Sequence, residues 1–367
     1  MAAAVFVHVS DIHFGQETDE RLLIHDDVKR ELIADAADIV RSLPGSVAHG
    51  VLVTGDIAQS GIQEEYEVAG KWLDDLARAV GCEIHRIQMV PGNHDLDRKM
   101  LSVGGEHILN VIRNGGPTEY EKILSNEVDR LALFARFKAY GRFCEGYDCL
   151  LDEEGRYSSN LQVQLAPGRS IRFVRMNSAL LCSGTENHAK PELLIGGRQF
   201  TIKRNPGEEV IVLMHHPLHW LKDSEEVGKY LSTRARVLIT GHEHNPKVKI
   251  VPVEAGADFM MVAAGATVPF KSNETYTFTY NILVFDWDAQ HDALEVQIHA
   301  RAWDPQFTRS KKDERIKNED EPDADTPPWR LGFPYFRKTQ KPEVERPVAG
   351  AAPHVALTDA PVLEMIP

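Results

Sequence analysis

The sequence predicts an α/β fold: a four-layer αββα sandwich of two mixed sheets with a helical cap-like insertion. Three observations carry this expectation. Apolar runs of strand length alternate with helix-period segments in the first third of the chain. Five short polar motifs each follow directly on an apolar run, where open α/β sheets present their binding residues. The later apolar runs succeed one another without long helices between them, which points to a second, more antiparallel sheet packed on the first.

Taken in order, Val5 to Val9 reads as a buried strand. Residues 20–43 follow as a helix, with Val28, Leu32, Ala36, Ile39 and Val40 at helical spacing. Val51-Leu52-Val53 is a second strand, residues 64–80 a second helix, and Ile84 to Val90 a third strand. This alternation implies right-handed βαβ units and a largely parallel sheet. Residues 119–143 read as one helix with Ile123, Val128, Leu131, Phe134 and Phe137 on a buried stripe, preceded by Gly104-Gly105 and Gly115-Gly116. Residues 96–157 are therefore assigned as an insertion, either a cap near the binding end of the sheet or an ordinary helical connection. Further strands are expected at 159–165, 171–177, 210–214, 237–240, 247–253, 259–264, 280–287 and 294–302.

With 43% hydrophobic residues over 367 positions, the chain can build one large core. Residues 1–303 are read as the main domain and 304–367 as a charged, Pro-rich C-terminal tail. The aromatic patch at 329–336 is expected to dock on the body, on a second subunit or on another protein. A formal net charge of −14 disfavours a broad DNA or RNA surface. The cluster Arg309, Lys311, Lys312 and Arg315 is interrupted by acids and reads as a solvated face. No apolar run approaches the roughly 20 residues that span a bilayer. The start lacks the basic, cleavable pattern of a signal peptide, so a cytoplasmic location is expected, with no membrane partner. Cys82, Cys144, Cys149 and Cys182 lack CxxC spacing and are expected as free thiols.

The five motifs are SDIH (Ser10 to His13), TGD (Thr54 to Asp56), PGNHD (Pro91 to Asp95), MHHP (Met214 to Pro217) and TGHEH (Thr240 to His244). Asp11 and His13 stand two apart, so an extended segment projects both to one side. His242 and His244 repeat that spacing, with Glu243 turned away. Asp56 follows a glycine that permits a sharp turn. Asn93 offers a neutral carbonyl oxygen, His94 a titratable ring and Asp95 a carboxylate. His215 ends an apolar strand, and alternation sends His216 elsewhere. Singly, each aspartate is equally a helix cap or turn residue. Jointly the side chains supply mixed nitrogen and oxygen ligands, which suit Mn, Fe, Zn, Co or Ni and not an all-oxygen calcium site. His8 and His85 read as core or sheet-face residues. His219 and the Asn177-Ser178 strand end are weaker candidates for the rim of a pocket.

In this order the series resembles the DxH, GD, GNH[D/E], H and GHxH pattern of the metallophosphoesterases, the calcineurin-like superfamily, from about Val5 to Asn245, with no substituted ligand. The resemblance implies two divalent metal ions. The first would take Asp11, His13, Asp56 and His244, the second Asp56, Asn93, His215 and His242, with Asp56 bridging. It also implies attack on phosphorus by hydroxide held between the ions. His94 resembles the family's catalytic histidine, and Asp95 would orient His94 or a ligand, or cap the following turn. GDIAQSG at Gly55 to Gly61 departs from the GDxxDRG pattern of the protein Ser/Thr phosphatases and lacks its phosphate-clamping arginine. The set looks more like the class III cyclic-nucleotide phosphodiesterases. The implied substrate is thus a small phosphodiester, a cyclic or other small nucleotide. SDIHFG also resembles nucleases of the double-strand-break repair type, the alternative enzyme. A phosphoesterase fold kept as a non-catalytic scaffold, recruiting partners or a second copy through its tail, is the alternative of another class.

Overall fold

Alternation along the first strand sets the layering. Val5, Val7 and Val9 pack with one buried cluster and Ala4 and Phe6 with another, because successive side chains of a strand point to opposite faces. The computed structural model describes residues 3–16, 20–252, 258–268, 278–316, 318 and 326–332. All belong to one unit, Met1–Tyr335.

The strands are β1 (Ala4–Val9), β2 (Gly50–Val53), β3 (Ile87–Met89), β4 (Gln162–Ala166), β5 (Arg169–Arg175), β6 (Glu208–Leu213), β7 (Val237–Thr240), β8 (Lys247–Pro252), β9 (Asp258–Ala263), β10 (Thr279–Asp288), β11 (Ala293–Asp304), β12 (Arg309–Lys312) and β13 (Trp329–Leu331). The helices are α1 (Glu20–Ser42), α2 (Gln63–Ala79), α3 (Val103–Ser125), α4 (Glu127–Phe134), α5 (Lys138–Glu145), α6 (Gly197–Phe200) and α7 (Ser224–Arg234). The first sheet has the order β12-β11-β10-β1-β2-β3, with β13 also pairing β11. The second has the order β4-β5-β6-β7-β9-β8. Each sheet is mixed: β1-β2-β3 and β5-β6-β7-β9 run parallel, and their flanks antiparallel.

Phe6 meets Phe173 at 4.7 Å and Phe285 at 5.9 Å between ring centroids, at the centre of the layer shared by both sheets. On the outer face of the first sheet, Val28, Leu32, Ala36 and Val40 of α1 and Ala69, Leu73 and Leu76 of α2 complete the other core. The αββα sandwich of two mixed sheets is thus present, with helical insertions.

Several sequence expectations change in detail. The strand expected at 84–90 begins as a 3₁₀ turn, Ile84–Arg86, and only 87–89 pair. The helix expected at 119–143 is broken. Asn126 caps α4 by accepting from the Asp129 amide at 3.2 Å, which resets the helical phase. Val128 and Leu131 are consequently exposed, at 76% and 48%; Phe137 is buried and Ile123 and Phe134 pack partly buried on the core as expected, and Leu124, Leu133, Tyr140 and Cys144 complete the stripe. Gly115-Gly116 lies inside α3, where Gly116 takes a φ of 70° just before Pro117 and kinks the helix. The late strands divide: β8 and β9 join the second sheet, while β10 and β11 complete the first by pairing with β1. Hydrophobic alternation reports which face is buried, not which sheet a strand joins.

Within the range read as tail, residues 309–312 and 329–331 form β12 and β13 on β11. Trp329 and Leu331 bury themselves in the layer between the sheets, so the start of the aromatic patch docks on this chain's own body. Residues 333–336 lie outside the described residues. The four cysteines are buried and free. Among the described residues no helix is long and apolar enough to cross a membrane.

Arg236 fixes this far edge. It donates to the carbonyls of Asp258, Leu331 and Gly332, and its Nε lies 3.2 Å from Glu209 Oε2. Burial outweighs that guanidinium and pushes the Glu209 carboxyl from 4.5 up to about 7. The native state therefore holds more proton than the unfolded chain between those values, and stability falls as pH rises through that window. Glu209→Gln is expected to flatten this slope. Urea unfolding at pH 5 and pH 8 should differ by roughly 1–3 kcal/mol less in the variant than in the parent; an unchanged difference would contradict the assignment.

Candidate metal centre

Each of the five motifs occupies the loop after a parallel strand: SDIH after β1, TGD after β2, PGNHD after β3, MHHP after β6 and TGHEH after β7. β1, β2 and β3 are neighbours in one sheet, as are β6 and β7 in the other. Cross-links close the two sets together. The His215 Nδ1–H donates to the Thr54 carbonyl at 2.7 Å, and the Gly241 amide to the His215 carbonyl at 2.9 Å.

The backbone here is strained. Nine non-glycine residues have positive φ among the described residues, and five of them are Asp11 (53°), His13 (53°), Asp56 (50°), His242 (73°) and His244 (55°). Such conformations cost about 1–3 kcal/mol each and persist where surrounding structure enforces them. The extended segments expected at Asp11–His13 and His242–His244 are accordingly replaced by left-handed turns, which still bring both members of each pair inward. Glycine is required beside them: a Cβ on Gly92 would stand 2.1 Å from Asp56 Oδ1, and one on Gly241 2.1 Å from Ser10 Oγ.

All seven residues expected as ligands meet. Ligand atoms of Asp11, His13 and His244 lie within 4.8 Å of one another, as do those of His13, Asp56 and His94, and those of Asp11, Asp56 and His215. Asn93 Oδ1 is 3.2 Å from His215 Nε2. Asp56 is central: Oδ1 accepts from the His94 amide at 2.8 Å, while Oδ2 lies 3.4 Å from His215 Nε2 and 3.9 Å from His13 Nε2. Asp11 Oδ2 accepts from Ser10 Oγ at 2.5 Å and from the His242 amide at 3.1 Å, and Oδ1 faces His244 Nε2 at 3.1 Å.

The charge pattern suits cations. Burial raises Asp11 and Asp56, but the surrounding histidines outweigh it and hold both carboxyls below the usual range. Burial pushes His13 down to about 4 and His242 to about 3, leaving neutral rings with lone pairs to donate. Both ring nitrogens of His13 are buried without a hydrogen-bond partner. Because Thr54 takes the Nδ1 proton of His215, Nε2 is the atom presented inward, an arrangement typical of ligating histidines. Two buried carboxylates and the unpartnered His13 ring, with the other histidines around them, fit one or two divalent ions.

His94 sits beside this cluster, its ring 4.8 Å from that of His13, with Nδ1–H donating to the Gln59 carbonyl at 2.9 Å. Of the roles expected for Asp95 (orienting His94, orienting a ligand or capping the turn), its contacts fit the second and not the first. Its fully buried carboxylate accepts from the amides of Ile57, Ala58 and Gly92 and from Tyr66 OH, at 2.8–3.2 Å. It holds the TGD loop against the PGNHD loop, so it positions Asp56. Burial, then the Asp56 charge, push it up to about 6.

His216 was expected to point away. It turns inward, its ring 4.7 Å from that of His215 and 4.5 Å from that of His242, with Nδ1 2.8 Å from Ser178 Oγ. Alternation fails because the strand has ended at Leu213. The Asn177-Ser178 strand end, a weak sequence candidate, was the available signal. Trp220 was missed: it stands perpendicular to His242 at 4.2 Å, with His188 5.4 Å away. His219 Nε2 lies 2.6 Å from Glu243 Oε1 at the rim. His8 is buried and bonded to Thr54 Oγ1 at 3.0 Å, whereas His85 is exposed on the 3₁₀ turn beside Glu83, not in the core.

A family model described as calcineurin-like phosphoesterase matches residues 4–246. The chain is 22% identical over 272 residues to an uncharacterized metallophosphoesterase-like protein, YydB, of Bacillus subtilis (strain 168), covering 72% of this chain and 53% of that protein. The chain thus spans about half the length of the curated relative it matches. Among solved structures, a Vps29 mutant from Entamoeba histolytica aligns at 11% identity and a TM-score of 0.37, over 89% of this chain and 99% of its own. A structure described as a putative 5'-nucleotidase from Staphylococcus aureus aligns at 12% identity and a TM-score of 0.43, over 88% of this chain and 57% of its own.

Proposed function

Since this chain belongs to the calcineurin-like phosphoesterases, we propose that it is a dinuclear metal-dependent phosphodiesterase acting on a cyclic or other small nucleotide. The observation that carries the reading is the convergence of two buried carboxylates, four histidines and an asparagine on one point, most of them in strained backbone. Asp11, His13, Asp56 and His244 would hold one ion, and Asp56, Asn93, His215 and His242 the other. When bound, the pair would supply a nucleophilic hydroxide and neutralise phosphate oxygens.

The chain's own residues supply the rest. Ser10 fixes the Asp11 carboxylate, and Asp95 fixes the loop that carries Asp56. With Nδ1–H committed to Gln59, His94 has Nε2 left to serve the leaving oxygen as proton donor. Residues 1–303 would form the catalytic unit with 96–157 as its cap, completed by the strands at 309–312 and 329–331; the rest of the range read as tail would be open to a protein partner or second copy. A cytoplasmic setting fits this reading.

The missing DRG arginine speaks against protein phosphatase activity, and the charge of −14 against a broad nucleic-acid surface. The test is a substrate panel of cyclic nucleotides, nucleotide monoesters, single-stranded and duplex DNA, and RNA, with protein stripped of metal and reloaded with Mn. Turnover of cyclic nucleotides is expected. Cleavage of DNA or RNA alone would make it a nuclease. Less than one ion per chain and no turnover would leave the scaffold reading.

A further inference from the structure

We propose that Arg98 is a phosphate clamp, a specificity-determining residue that binds substrate oxygens from the insertion side; this rests on the phosphoesterase reading above. Arg98 lies four residues beyond His94, at the start of the 3₁₀ turn Arg98–Met100. Its exposed guanidinium donates through Nη2 to the Asn93 carbonyl at 3.3 Å. The Asn93 side chain in turn reaches His215. On its other side the guanidinium packs on Gly184, where a Cβ would stand 3.0 Å from Cζ. Gly184 is itself anchored, because the Glu186 carboxylate accepts from its amide at 3.0 Å and from that of Ser183. Arg98 is thus held between a ligand loop and a fixed loop.

The other arginines nearby are committed. Arg136, fully buried, donates to the carbonyls of Leu133, Leu180 and Cys182. Arg113 donates to the Leu181 carbonyl and Ser183 Oγ and lies near Glu186 and Glu192. The Arg98 guanidinium makes one hydrogen bond, to a neutral carbonyl, and no carboxylate among the described residues pairs with it. A planar guanidinium with free donors matches two phosphate oxygens. GDIAQSG carries no arginine, whereas Arg98 follows PGNHD and bonds to the loop that carries Asn93.

The experiment compares the Mn-reloaded full chain with Arg98→Ala and Arg98→Lys, reading metal content, inorganic phosphate binding by calorimetry, and hydrolysis of bis(p-nitrophenyl) phosphate. Arg98→Ala is expected to weaken phosphate binding and raise KM by about 10–100-fold, with kcat and metal content little changed. Arg98→Lys should recover part of the loss. Phosphate affinity within about twofold of the parent in Arg98→Ala, or a fall in kcat at constant KM, would overturn the clamp. The two readings fail separately. A parent that binds phosphate through Arg98 yet hydrolyses no ester overturns the phosphodiesterase alone. An active parent whose Arg98→Ala variant binds phosphate equally overturns the clamp alone.

Discussion

Asp56→Asn is expected to lower kcat/KM for a phosphodiester by at least about 10³-fold, beyond what loss of one acid–base group commonly produces at its lower bound. The substitution keeps shape and one oxygen acceptor but removes the charge between the two groups of ligands. His13 and His215 both face Asp56 Oδ2, at 3.9 and 3.4 Å, and the His94 amide leans on Oδ1. Bound metal should fall from two ions per chain toward one or none, by elemental analysis after dialysis. Metal binding to the native state also stabilises it, by about 2.7 kcal/mol at a hundredfold excess over Kd. A Mn-dependent rise in Tm is expected of the parent and should therefore shrink in the variant. Parent-like metal content together with parent-like turnover would remove Asp56 from the centre.

The second large effect concerns His94. His94→Ala should reduce kcat by about 10²–10⁴-fold for esters whose leaving group is an alkoxide. Its ring stands beside His13, and its inner nitrogen is already tied to Gln59, so Nε2 is the atom available to the departing oxygen. A p-nitrophenolate leaving group needs little protonation, so the loss with the chromogenic diester should be much smaller. Metal content should be unchanged. Equal losses on both substrates would argue that His94 orients ligands and does not transfer a proton.

Much of this centre is legible in the chain because each motif is local: a strand end, a small residue and one or two ligand side chains. Asp11, His13, Asp56, Asn93, His215, His242 and His244 needed only order and residue type to be singled out, and they meet. Local spacing misjudged geometry wherever the backbone left the regular states. Asp11 and His13 converge through two left-handed residues, which no periodicity announces. His216 turns inward because its strand has already ended. Asp95 looked like a partner for His94 because they are adjacent, yet it bonds to amides 37–38 residues away. In the helical stretch Ile123, Phe134 and Phe137 pack on the core as expected, but Val128 and Leu131 do not, since a capping asparagine at position 126 starts a new helix after Ile123.

The sequence by itself determined the layered α/β class, the strand ends and the ligand inventory, because alternation, helical period and ligand chemistry are properties of short segments. Tertiary structure alone decided that β10 and β11 close the first sheet, that Trp329 and Leu331 fill the layer between the sheets, and that Trp220 and Arg98 stand at the rim of the metal centre. Those outcomes depend on contacts between segments far apart in the chain, and the free energy of such contacts resides in packing and charge complementarity that no single segment encodes.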